Sequence, residues 1–132
     1  MKIPFLKIFK SPSKNVPEVV KTEFTKQFSE AKNIEWEYKK NSYEAIFYLE
    51  GREYIAQFSD HGELKETKKN LWLNELPELI SDICLQQGEI MNVIEICRGN
   101  YQFFEVIIRN MKLKRKLFLL NPSGKIISSH KL

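Results

Sequence analysis

The sequence predicts an α+β fold built from two tandem repeats, each a helix followed by an antiparallel meander, and three internal echoes predict it. NVPEVVKTEF at 15–24 returns as ELPELISDIC at 75–84, an offset of 60. YEAIF at 43–47 returns as FEVII at 104–108, an offset of 61, and FSDHG at 58–62 returns as LNPSG at 120–124, an offset of 62. One such match arises easily by chance. Three in the same order, drifting by two residues, describe one supersecondary unit used twice with small loop insertions. The repeats run from about 15 to 68 and from about 75 to 130, within one expected domain at 15–132 that follows an arm at 1–14.

Each repeat opens with a helix. In the first, Asn15 can cap, Pro17 suits the first turn, where its missing N–H costs nothing, and Glu18 suits the positive helix end. Val16, Val20, Phe24 and Phe28 then recur every four residues as one apolar stripe. The second copy keeps Leu76, Ile80 and Cys84 on the matching stripe, and Gly88 is placed to cap its end.

The strands are read by pairing them. A turn near Lys40–Asn41 sets Tyr38 opposite Tyr43, Trp36 opposite Ala45 and Ile34 opposite Phe47. A second turn at Glu50–Gly51 sets Phe47 opposite Tyr54, Ala45 opposite Ala56 and Tyr43 opposite Phe58. Directly opposed residues share a face, so all of these belong on the side that meets the helix. A short fourth strand is expected from Leu64 and, in the second copy, from Lys125. The second copy's RNMKLKRKLFLL lacks the compact Gly-Arg turn of LEGREYIAQF, so its hairpin is expected to be longer and less regular.

The repeat also reads the Asp60–His61 pair. An acid beside a histidine suggests a general base, but the second copy writes Pro122–Ser123 there, and each pair precedes a glycine, Gly62 or Gly124. Asp, Pro, Ser and Gly are residues that turns select, so His61 is read as a loop-tip residue. No glycine-rich phosphate loop or nucleophile motif occurs, and neither catalytic residues, a metal site nor a cofactor is expected. Cys84 and Cys97 lack metal or redox spacing, sit among apolar residues, and are read as small buried hydrophobes.

Charge narrows the choice of partner. Lys2, Lys7, Lys10 and Lys14 supply the whole net charge of +4, leaving 17 basic and 17 acidic side chains after residue 14, so no general basic face is indicated. The arm MKIPFLKIFKSPSKN begins like a secretory signal, but Pro4 and Lys7 interrupt its apolar part and no small-x-small site follows. It is read as part of the mature chain: a tail, a surface anchor, or a flap over apolar surface elsewhere. No apolar run approaches the ~20 residues of a membrane-spanning helix, so no transmembrane segment is expected and the domain is expected to be soluble.

The blocks VPEVVKTEF, AKNIEWE, YEAIFYLEGREYIAQFSDHGELKET, LPELI and FFEVII, in this order and in tandem, resemble the PepSY-like family, also called β-lactamase-inhibitor-like, over about residues 15–130. The resemblance implies that the two units build one curved antiparallel sheet with helices on one face and an open concave face on the other. It further implies a non-enzymatic protein that binds or inhibits another protein. Family members are commonly exported. The location expected is thus periplasmic if the chain follows that habit, and cytoplasmic if the chain is complete as given.

Three partner readings follow. The strand face away from the helix carries Ile46, Tyr48 and Ile55 among acids in the first copy, and Phe103, Ile107, Leu117 and Leu119 in the second. A solvated face alternates to polar residues, so this surface is the candidate for an unidentified protein or peptide. A nucleic-acid role would rest on the hairpin with Arg109, Lys112, Lys114, Arg115 and Lys116, but such a run more often forms a solvated loop that guards an edge strand. The third reading is a structural homodimer through the same apolar face.

Overall fold

The computed structural model describes residues 15–132; the arm at 1–14, with every role considered for it, lies outside the described residues. The elements are α1 (Glu18–Gln27), β1 (Lys32–Lys39), β2 (Ser42–Leu49), β3 (Arg52–Ser59), β4 (Leu64–Asn70), α2 (Glu78–Leu85), β5 (Glu89–Arg98), β6 (Tyr101–Arg109), β7 (Arg115–Leu120) and β8 (Ile126–Lys131). A short 3-10 turn at Leu73–Glu75 leads into α2, with the Glu75 carboxylate accepting from the Trp72 backbone N–H at 2.7 Å. Two helices and antiparallel strands that pair in plain chain order, β1 to β4 and again β5 to β8, make the fold α+β. The chain divides between Lys69 and Asn70 into two compact units.

In the first unit the expected stripe is the buried side of α1. Val20 and Phe24 pack with Tyr43, Ala45, Phe47, Ala56 and Phe58, and Val16 and Phe28 flank them. The Phe24 ring lies 5.0 Å from Phe47 and 5.3 Å from Trp36, both edge-on. It fits because Ala45 and Ala56, paired across β2 and β3, leave room beneath it. The pairing Trp36 to Ala45 to Ala56 is as the sequence predicts. Two details differ. Pro17 itself is the N-cap residue, its carbonyl accepting from Val20 and Lys21, and Asn15 takes no such part. Ile34 does not face Phe47, because a bulge between Lys32 and Glu35, with Asn33 at φ 54°, shifts the register and leaves Ile34 exposed.

The second unit buries the same positions with the volumes exchanged. Ile80 and Cys84 of α2 pack on Val106, Phe118 and Leu120, with Leu71, Leu76, Ile90, Val93, Phe104 and Ile108 around them. Cys84 stands where the first unit has Phe24, whereas Val106 and Phe118 stand where it has Ala45 and Ala56. One unit carries its bulk on the helix, the other on the sheet. Gly88 follows the helix end, but its role is not that of a left-handed cap. A Cβ there would lie 2.5 Å from the Arg109 carbonyl oxygen, so the glycine admits β6 against the start of β5.

Three five-residue turns share one frame. Ser59–Glu63, Asn110–Lys114 and Asn121–Lys125 each close with the first N–H donating to the fifth carbonyl, at 2.8–3.0 Å, and the fourth N–H donating to the first carbonyl. The first side chain, Ser59, Asn110 or Asn121, accepts from the third and fifth N–H groups. The fourth residue has positive φ: Gly62 at 88°, Leu113 at 64° and Gly124 at 90°. Gly62 and Gly124 also lie under the helices, where a Cβ would meet Val19 at 3.0 Å and Ile83 at 2.6 Å. Asp60 and His61 are thus the second and third residues of a turn.

The volume exchange has a measurable consequence. Phe24→Ala should cost roughly 3–5 kcal/mol and Cys84→Phe roughly 1–3 kcal/mol by urea denaturation, one by emptying a core and the other by overfilling it. Changes below about 0.5 kcal/mol in both variants would contradict the packing described.

Candidate functional site

With helix-facing residues assigned, the register fixes the opposite faces. In the first unit, Ile46 pairs with Glu35 and Ile55, and Ile55 with Lys68; the next rows hold Glu37, Glu44, Gln57 and Glu66 on one side, and Lys32, Tyr48 and Glu53 on the other. This is an acidic surface around an isoleucine pair, and both isoleucines are buried. The bulge in β1 opens a hollow of about 490 Å³ lined by residues that include Glu35, Ile46, Tyr48 and Glu53. Glu53, one of the carboxylates that alternation alone would put in solvent, is only 5% exposed. Lys39 pairs with Glu44 at 3.3 Å on the same face.

The second unit's equivalent face is largely apolar. Ile96 pairs with Phe103, Glu105 pairs with Ile94 on one side and Leu119 on the other, and Ile107 pairs likewise with Asn92 and Leu117. Ile94, Ile96 and Ile107 are buried, and Phe103, Leu117 and Leu119 are partly exposed. None of the six belongs to the cluster beneath α2. The Arg98 guanidinium lies over the Phe103 ring, 5.7 Å from its centroid, a cation–π contact at the border of the patch. Of the sequence candidates, Phe103, Ile107, Leu117 and Leu119 come together here, and Ile46, Tyr48 and Ile55 come together in the first unit.

Ile94 and Ile96 escape a reading by repeats because β1 writes Glu37 and Lys39 at their positions, and because the link from helix to strand is shorter in the second copy. The usable signal is the alternation Ile94-x-Ile96 itself, just after the bulge between Ile90 and Asn92.

The five basic candidates do not share one face. Arg109 pairs with Glu89 at 3.1 Å and lies opposite Arg115 on the helix-free side. Lys116 pairs with Ile108 and Lys131, on the row that meets the helix side. Lys112 and Lys114 stand on the turn between them. Among the described residues no three His, Cys, Asp or Glu side chains lie where they could hold a metal ion. Cys84 is buried and its thiol pKa is raised by that burial, so it is a poor nucleophile. No helix among the described residues is long and apolar enough to cross a membrane.

The sequence matches no protein-family model and no curated protein sequence. Solved structures share the fold: a DUF2874 family protein from Bacteroides uniformis has 18% identity and a TM-score of 0.78, covering 87% of this chain and 88% of its own. A BLIP-like protein from Bacteroides fragilis has 19% identity and a TM-score of 0.73, covering 94% of this chain and 89% of its own. The fold is thus BLIP-like.

If the Asp60–His61 pair serves only the turn, His61→Ala should change stability by less than about 0.5 kcal/mol. Gly62→Val should cost more than 1–2 kcal/mol, roughly the left-handed penalty alone, because Val19 adds a clash. Thermal melts of the two variants check this, and a loss in His61→Ala as large as in Gly62→Val would overturn it.

Proposed function

We propose that the protein is a non-catalytic, PepSY-like module that binds a protein or peptide, in the manner of an inhibitor, on the helix-free face of its second unit. The observation that carries the reading is the side-chain content of that face. Phe103, Leu117 and Leu119 offer partly exposed apolar area over a bed of Ile94, Ile96 and Ile107, with Glu105 as the acid among them. Covering such side chains is worth roughly 1.5–3 kcal/mol each. An aromatic and aliphatic centre with Arg98 and Arg109 at its borders has the anatomy of a protein interface.

The likeness to a BLIP-like structure supports the reading at the level of fold. The acidic first-unit face, with Ile46, Tyr48 and Ile55, suits a basic segment of a partner. A location outside the cytoplasm accords with the habit of the PepSY-like family. A homodimer would use the same second-unit face, and sedimentation at two concentrations separates that case.

Ile107, at 5% exposure, is a core-like position of this face, so the test belongs to its neighbours. The full chain immobilised as bait should retain a partner from its host's extract. Phe103→Ser with Leu117→Glu should lower that retention at least about thirtyfold, the effect of losing one strong contact of about 2 kcal/mol. Circular dichroism should show the variant folded. Undiminished retention by the folded variant would refute this assignment.

A further inference from the structure

The geometry points to a second interaction surface at the β6–β7 turn: residues 110–114 dock the protein on an anionic lipid bilayer, inserting Met111 and Leu113 within a collar of Lys112, Lys114, Arg115, Lys116 and Lys131. The molecule supplies its own controls. The same turn frame occurs at Ser59–Glu63 and Asn121–Lys125, where the second residue is Asp60 or Pro122 and the fourth is Gly62 or Gly124. Here those positions are Met111, 100% exposed, and Leu113, 71% exposed.

Turn geometry explains neither choice. At φ 64° a leucine is strained where glycine is not, and asparagine would be cheaper than leucine. Packing does not explain them either, since both side chains project into solvent. The frame that presents them is fixed, with Asn110 Oδ1 accepting from the Lys112 and Lys114 N–H groups at 2.9 and 3.0 Å. Two apolar side chains are therefore held out at a hairpin tip.

Charge selects the partner. No Asp or Glu follows Glu105 in the chain, whereas the strands flanking the tip supply Arg115, Lys116 and Lys131. Glu89, across from this end of β6, is engaged with Arg109. A protruding apolar tip lacks the flat or concave area of a protein interface. Nucleic acid would use aromatic side chains for stacking, and the tip has none. A bilayer accepts a protruding methionine and leucine below its headgroups while its anionic lipids attract the cations, and marginal apolar insertion plus a basic cluster is the combination that retains proteins at such surfaces.

The test is co-sedimentation of the full chain with vesicles of phosphatidylcholine alone, or with one third phosphatidylglycerol. Binding should require phosphatidylglycerol and weaken with salt. Lys112→Gln with Lys114→Gln should weaken it by about fivefold per cation. Met111→Ser with Leu113→Gly should also weaken it at least about fivefold, without lowering the melting temperature, since glycine suits the turn. Met111→Trp should show a blue-shifted emission on the mixed vesicles. The proposal is overturned if the wild-type chain does not bind or if the serine–glycine variant binds as tightly. It is equally overturned if the tryptophan emission stays unshifted, or if single-stranded DNA competes the chain off the vesicles through the same lysines.

Discussion

A helix with one apolar line can be buried on only one face of a meander, and that choice decides the side taken by every strand residue. In the first unit the line is Val20 and Phe24, and in the second it is Ile80 and Cys84. Because side chains alternate strictly along a strand, seating Phe24 on Phe47 turns Ile46 and Tyr48 to the other side. A slip of one residue would exchange the two sets. The bulges in β1, at β3–β4, in β5 and at β7–β8 matter for the same reason, since each resets the alternation locally.

The two units then diverge where the helix does not constrain them. Beneath the helix, a change in one residue is answered by its neighbours, as in the exchange of Phe24 over alanines for Cys84 over Val106 and Phe118. On the other face no such partner exists within the unit, and Glu37 and Lys39 of one copy correspond to Ile94 and Ile96 of the other. The turns show the same freedom. Gly62 and Gly124 are held by the helices above them, but the tip at Asn110–Lys114 carries an exposed methionine and an exposed leucine instead.

Much of the fold was legible because the three echoes between the two halves of the sequence could be read against each other. Comparing the two halves of the sequence located the helices and reduced Asp60–His61 to turn residues, and the turn at Glu50–Gly51 set the β2–β3 register. What escaped it were non-periodic features. The bulge at Asn33 displaced Ile34 and opened the hollow in which Glu53 is buried, and no residue pattern announces such an insertion. Gly88 looked like a helix cap, yet its need comes from the Arg109 carbonyl, a neighbour 21 positions away. The apolar candidates Phe103, Ile107, Leu117 and Leu119 were found by alternation, while Ile94 and Ile96 were hidden by acidic and basic residues in the other copy. The basic run was legible as composition only; its distribution over two faces and a tip follows from the five-residue turn.

The assignment of faces is tested most directly by two double-mutant cycles that share Phe24. Pairing Phe24→Ala with Phe47→Ala should reveal a coupling of roughly 0.5–1.5 kcal/mol, as expected for edge-on rings in contact. Pairing Phe24→Ala with Ile46→Ala, one residue away along the same strand, should be additive to within about 0.5 kcal/mol. Equal coupling in the two cycles, or the larger coupling with Ile46, would mean that the helix rests on the other face of the meander.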